Sequence, residues 1–118
     1  MKTKLKDKIE YRNKQGQLHR EDGPAIIIPN EYQAYYQNGK CHRIDGPAVI
    51  ESDGSQYYYQ NGKLHRTDGP AVICSDGWQL YYQNGKLYRE DGPCSISPNG
   101  TKHYFINGKY SIKYKDED

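Results

Sequence analysis

The tripeptide Asp-Gly-Pro recurs four times along the chain, always 23 residues apart. The copies occupy residues 22–24, 45–47, 68–70 and 91–93. A fixed period of roughly 20 to 50 residues is typical of repeat proteins. The period therefore predicts an array of similar units. It also indicates that a residue present in every unit serves the fold more readily than a single active site.

Composition favours a thin sheet over a thick aliphatic core. Only 34% of the 118 residues are hydrophobic, and 13 tyrosines supply much of the apolar area. A tyrosine ring can be buried while its hydroxyl stays in water. The net charge of +2 disfavours nucleic acid as a partner.

The charge is unevenly distributed and suggests domain limits. We predict a basic N-terminal tail at 1–8, a single repeat domain at 9–114 and an acidic C-terminal tail at 115–118, with both tails fraying into solvent. No stretch approaches the roughly 20 apolar residues of a transmembrane segment. The three cysteines have no paired spacing, which predicts a reducing, cytoplasmic location and no metal site. No cofactor is predicted either.

Turn residues divide each unit into short strands. Asn61-Gly62 and Asp76-Gly77 are typical of two-residue hairpin turns, and Asp68-Gly69-Pro70 should bend or bulge the strand between them. No segment has apolar residues at helical spacing. The predicted fold is all-β, an elongated and twisted antiparallel meander of about four 23-residue β-hairpin repeats with essentially no helix.

Two-residue turns would also determine which side chains share a face. They place Tyr59 opposite Leu64 and Ile50 opposite Tyr57. The predicted buried rows are Ile27, Ile50, Ile73 and Ile96, and Tyr36, Tyr59, Tyr82 and Phe105. A second tyrosine row, with histidines beside it, should lie on the opposite face.

That opposite face supplies the candidate binding residues. They are Tyr35, His42, Tyr58, His65, Tyr81, Tyr88 and Tyr104, the turn lysines Lys40, Lys63 and Lys86, and Trp78. Tyrosine is enriched at interfaces, but ordinary cross-strand packing on a solvated face is the favoured explanation of the rows. Trp78 breaks the repeat, either as an interface anchor or as a filler between hairpins.

The remaining polar residues recur too regularly for catalysis. Each Arg-x-Asp pair, such as Arg66 and Asp68, could contact phosphates, but an ion pair that holds the bend is favoured because every arginine has its own aspartate. Catalysis needs one asymmetric constellation of residues. The sequence therefore predicts that the protein is not an enzyme.

The segment 58–71, Tyr-Tyr-Gln-Asn-Gly-Lys-Leu-His-Arg-Thr-Asp-Gly-Pro-Ala, resembles the MORN family of β-hairpin repeats. It is most similar to the bacterial and viral variant. It departs from the usual MORN unit after the turn, where His-Arg-x-Asp-Gly-Pro replaces His-Gly-x-Gly. The resemblance implies scaffolding, protein binding, a viral or phage origin, and the cytoplasm of a bacterium or an infected host.

Two functions follow as hypotheses. The first is a non-catalytic protein–protein interaction module, with a host protein as partner if the source is viral, and with a homodimer as one way to cover the apolar face. The second is a binder of small anionic ligands, nucleotides or phosphoinositides, through the Tyr, His and Lys rows. Lysine-dependent binding should weaken with salt, whereas a tyrosine-rich protein interface should not.

Overall fold

The protein is described by a computed structural model over residues 1–106 and 109–113, and this part of the chain contains no helix, hence none that could span a membrane. Its strands are short. They are β1 (Lys2–Leu5), β2 (Lys8–Tyr11), β3 (Ile26–Ile28), β4 (Tyr32–Ala34), β5 (Tyr36–Gln37), β6 (Lys40–Cys41), β7 (Val49–Glu51), β8 (Gln56–Tyr57), β9 (Tyr59–Gln60), β10 (Lys63–Leu64), β11 (Val72–Ile73), β12 (Gln79–Leu80), β13 (Tyr82–Gln83), β14 (Lys86–Leu87), β15 (Ser95–Ile96), β16 (Lys102–Ile106) and β17 (Lys109–Lys113).

Eleven of these strands form one long antiparallel sheet in the order β1-β2-β3-β4-β7-β8-β11-β12-β15-β16-β17. The hairpins β5–β6, β9–β10 and β13–β14 form separate two-stranded sheets. The molecule measures 54 × 27 × 19 Å. The predicted all-β, elongated meander is therefore confirmed, with the addition that each unit sends a hairpin out of the long sheet.

A tyrosine marks the point where each of these hairpins leaves the long sheet. The backbone N–H of Tyr58 donates to the carbonyl of Ala71 at 2.7 Å, within the long sheet. The carbonyl of Tyr58 instead accepts from the N–H of His65 at 3.0 Å, across the hairpin. The chain thus changes its pairing partner at a single residue, and residues 65–70 form the loop that returns it to the long sheet.

The two kinds of hairpin turn differ. Asn61 and Gly62 have φ of 51° and 80°, as the predicted type I′ turn requires. At the other hairpin only Gly54 has positive φ, at 91°, and its N–H donates to the carbonyl of Glu51 at 3.0 Å. This hairpin therefore has a three-residue loop. The Asp53 carboxylate stabilises the loop by accepting the backbone N–H of Ser55 at 2.9 Å.

The longer loop changes the register of the long sheet by one residue. The prediction that Ile50 lies opposite Tyr57 is wrong, because Val49 lies opposite Tyr57 and Ile50 opposite Gln56. Since a one-residue slip moves every side chain to the other face, the faces of β7 are exchanged relative to the expectation. The predicted pairing of Tyr59 with Leu64 across the Asn-Gly turn is confirmed.

The fully buried residues are small and differ from the predicted rows. Ala25, Ala34, Ala48 and Ala71 are completely buried, and Cys94 and Val72 nearly so. The predicted isoleucine row is only half-buried, because Ile50 and Ile73 share their face with Gln56 and Gln79. Tyr36, Tyr59 and Tyr82 are also half-buried, and Phe105 is 46% exposed. The buried centre thus contains the residue that follows each Asp-Gly-Pro, which is alanine in three units and Cys94 in the fourth.

The basic segment at the N-terminus takes part in the sheet. Residues Lys2–Leu5, which we predicted to fray, form β1 and pair with β2 along their whole length. The predicted acidic tail at 115–118, together with Tyr114, lies outside the described residues.

We expect the stability of the protein to fall as the pH rises from about 10 to 12. Burial, aided by a 2.9 Å hydrogen bond from the Tyr57 hydroxyl to Glu51, raises the pKa of Tyr57 to about 12 from its usual value of 10.0. Above pH 10 the unfolded state loses this proton while the folded state retains it, so unfolding becomes easier until the folded pKa is passed. Urea midpoints between pH 8 and 12 measure the effect. The urea midpoint of a Tyr57→Phe variant should decline less steeply with pH. An equal decline in both proteins would show that groups other than Tyr57 cause it.

Candidate interaction surface

Each Asp-Gly-Pro loop is held by an arginine. In the third unit the guanidinium carbon of Arg66 lies 3.9 Å from the centroid of the Tyr58 ring, Nε lies 3.0 Å from Asp68 and Nη1 donates to the carbonyl of Pro70 at 3.1 Å. The same stacking, at 3.9 to 4.0 Å, joins the pairs Arg20–Tyr11, Arg43–Tyr35, Arg66–Tyr58 and Arg89–Tyr81. We call this recurrent arrangement the arginine clamp.

The clamp explains the glycine of Asp-Gly-Pro. A Cβ atom on Gly69 would lie 3.0 Å from the guanidinium carbon of Arg66, and on Gly92 only 2.8 Å from that of Arg89. Neither glycine has a positive φ. The residue is therefore small so that the arginine can cross the loop and reach the proline carbonyl.

The clamp also gives the arginines a role within the fold. The predicted ion pairs are present, at 3.0 Å in three units and 3.8 Å in the fourth. The arginine side chains are 22–30% exposed and the aspartates 83–91% exposed. Exposed ion pairs contribute little, so stacking on tyrosine and the bond to the carbonyl supply most of the attraction.

The histidines link successive units, a contact that sequence reasoning missed. Nδ1 of His65 accepts the backbone N–H of Asn84, the first residue of the next Asn-Gly turn, at 3.1 Å. His42 and His19 do the same for Asn61 and Asn38, both at 3.0 Å. The constant 19-residue offset between each histidine and the asparagine was the signal available in the sequence. His42 and His65 therefore have a structural role. Their role in binding stays a prediction.

The turn lysines are the exposed members of the predicted set. Lys40, Lys63 and Lys86 are exposed, and no ion pair involves them within the described residues. The Cβ atom of Lys63 lies beside the next Asn-Gly turn, 3.7 Å from the position that a Cβ atom on Gly85 would occupy. The side chains of Lys40 and Lys63 thus begin beside the glycine of the next Asn-Gly turn, at Gly62 and Gly85 respectively.

The tyrosine row is less uniform than the repeat suggests. Tyr11, which was not foreseen as a member, is the first tyrosine of the row and stacks on Arg20. The loop of the first hairpin is longer than those of the later hairpins, and a hydrogen bond from the Gly16 N–H to the Asn13 carbonyl closes it at 3.0 Å. Tyr88 stands where other units have histidine and is 43% exposed. Tyr104 lies opposite Ser111 in the last hairpin. Their roles in binding remain predictions.

An aromatic cluster lies at the end of the long sheet where the repeat lapses. The ring centroids of Trp78 and His103 are 6.0 Å apart, those of His103 and Tyr110 5.8 Å, and those of Phe105 and Tyr110 6.2 Å. The Tyr110 hydroxyl lies 2.7 Å from Nδ1 of His103. Strand pairing places Ile112 opposite His103 on the same face. We call Trp78, His103, Phe105, Tyr110 and Ile112 the aromatic patch.

The aromatic patch is exposed because no further unit covers it among the described residues. Phe105, Tyr110 and Ile112 are 46%, 53% and 46% exposed. Phe105 occupies the register of Tyr59 and Tyr82, which are half-buried in the hairpins of earlier units. Sequence reasoning identified Trp78 as the place where the pattern lapses. It missed Tyr110 and Ile112.

Two further features bear on what the chain can do chemically. Burial raises the pKa of the Cys41 thiol to about 11, so the thiol stays protonated at neutral pH. Within the part of the chain that the structure describes, no three His, Cys, Asp or Glu side chains are grouped so as to hold a metal ion.

Comparisons with known proteins give no relative: no family model, curated protein or solved structure matches this chain significantly.

Proposed function

We propose that the protein is a non-catalytic protein–protein interaction module that contacts its partner through the aromatic patch. The observation that carries the proposal is the exposure of Phe105, Tyr110 and Ile112 side by side on one face of an outer hairpin. Aromatic residues with adjacent aliphatic ones are typical of the centre of protein interfaces. The repeated units before the patch would serve as a rigid support for it.

We also infer that the units are MORN-like. The support is the combination of an aromatic strand, an Asn-Gly-Lys turn and a 23-residue step with the hairpin array described above. In this protein the arginine clamp takes the place of the glycine-rich segment of the usual unit. Scaffolding is the role that such an array would perform.

The proposal is tested by capture of partners from an extract of the source organism. Tagged chain carrying Phe105→Glu with Tyr110→Glu should retain about ten-fold less of the partner than the unaltered chain, because charge on the patch opposes its burial. Thr67→Glu, an exposed change in a loop, is the matched control and should capture normally. Unfolding midpoints confirm that both variants are folded. Equal capture by the patch variant and the control would refute the proposal.

A second candidate function is the binding of small anionic ligands through Lys40, Lys63 and Lys86. The observation in its favour is the exposure of all three lysines without ion pairs among the described residues. The tyrosines proposed to assist them already stack on arginine. Replacement of Lys40, Lys63 and Lys86 by glutamate separates the two functions, because it should abolish the binding of anionic ligands and leave a patch-dependent interface intact.

A further inference from the structure

We propose that β17 receives an extended segment of a partner protein in which apolar and acidic residues alternate. Among residues 1–106 and 109–113, β17 is the outermost strand of the long sheet and pairs with β16 on one side only. An outer strand offers unpaired backbone groups to which a further strand can bond. This inference rests on the proposed function, because it specifies the chemistry of the partner at the aromatic patch.

The two faces of β17 differ in character. Tyr110 and Ile112 lie on the face of the aromatic patch, where they are 53% and 46% exposed. Lys109, Ser111 and Lys113 point to the other face, because successive side chains of a strand alternate. A strand added beside β17 therefore meets apolar side chains on one face and ammonium groups on the other.

The lysines of this hairpin have no ion-pair partner among the described residues. Lys102 and Lys113 are directly opposite one another in the β16–β17 pairing, an arrangement that repels. No ion pair involves Lys102, Lys109 or Lys113 within the described residues. Acidic residues of an incoming strand would relieve this repulsion, while its apolar residues would cover Tyr110 and Ile112.

The opposite edge of the long sheet lacks this combination. All four residues of β1 are exposed, but they are Lys2, Thr3, Lys4 and Leu5, with one large apolar side chain among them. Lysine on an outer strand normally opposes unwanted pairing. Of the two outer strands in the described part of the long sheet, β17 is the one that joins lysines on one face to adjacent exposed apolar side chains on the other.

A second copy of the chain fits this edge poorly. Antiparallel pairing of two β17 strands over their full length sets Lys109 of each copy opposite Lys113 of the other. Like charges directly opposite destabilise a sheet. The charge pattern therefore favours an acidic partner segment over self-association.

The test uses the full chain and a nine-residue peptide that alternates glutamate and valine, with its lysine-for-glutamate counterpart. We expect the acidic peptide to bind at least about ten-fold more tightly than the basic one, which corresponds to about 1.4 kcal/mol. The Lys109→Glu, Lys113→Glu variant should reverse this preference, whereas the matched turn variant Lys63→Glu should keep it. N-methylation of alternate peptide nitrogens should abolish binding, because strand addition needs those N–H groups.

Equal binding of the two peptides, or undiminished binding after N-methylation, would overturn the inference. So would sedimentation showing a dimer that the single Lys109→Glu variant strengthens, because that change sets a glutamate opposite Lys113 of the other copy and a second copy would then occupy the edge. The captured partner separates this inference from the proposed function. Capture that depends on the aromatic patch but leaves the β17 amides unprotected in hydrogen exchange refutes strand addition alone, whereas capture independent of the patch refutes the proposed function.

Discussion

Replacement of Gly69 by valine should lower the free energy of unfolding by about 2–3 kcal/mol. The new Cβ would lie 3.0 Å from the guanidinium carbon of Arg66, which must move away. The displaced arginine then loses its stacking on Tyr58, its ion pair with Asp68 and its bond to the Pro70 carbonyl. Urea unfolding monitored by tyrosine fluorescence measures the difference.

A double-mutant cycle separates this mechanism from backbone strain. In an Arg66→Ala background the Gly69→Val change should cost much less, because no guanidinium remains to be displaced. An undiminished cost in that background would mean that glycine is needed for the backbone of the bend and not for the clamp.

Replacement of Ala71 by leucine should destabilise the protein by about 1–3 kcal/mol. Ala71 is completely buried, and both of its backbone groups are bonded, the N–H to Leu80 at 2.8 Å and the carbonyl to Tyr58 at 2.7 Å. The loop therefore cannot shift to admit three more carbons without breaking the junction between the hairpin and the long sheet. Calorimetric or urea unfolding provides the measurement.

Two variants control this experiment. Ala71→Cys should cost less, because Cys94 occupies the same register in the fourth unit and is accommodated there at 1% exposure. Thr67→Leu, in the exposed loop, should change stability by no more than about 0.5 kcal/mol. A neutral Ala71→Leu would contradict the placement of the buried centre at this alanine.

The repeat period and the turn residues were sufficient to predict the architecture. A type I′ turn requires positive φ at two consecutive residues, which few dipeptides adopt as readily as Asn-Gly, so the hairpins at 38–39, 61–62 and 84–85 were predicted correctly. The Asp-Gly turns were not, because the side chain of Asp53 can bond its own loop and add a residue to it. That single residue reversed the faces and misplaced the predicted core.

The roles of the repeated polar residues were harder to predict because they depend on side-chain contacts that the spacing does not show. His65 bonds to a turn of the next unit, 19 residues later, and Arg66 stacks on Tyr58 from across the hairpin of its own unit. The aromatic patch was only partly foreseen, since Trp78 breaks the repeat visibly but Tyr110 reaches it through the pairing of β17 with β16.

The location of binding can be measured directly by following backbone amide signals in NMR spectra as the captured partner is added. If the aromatic patch and β17 form the interface, signals from Lys102–Ile106 and Lys109–Lys113 should shift or broaden, and those around Lys40, Lys63 and Lys86 should stay in place. Shifts confined to the lysine turns, with the β16–β17 signals unchanged, would contradict the proposed interface and favour the anionic-ligand function.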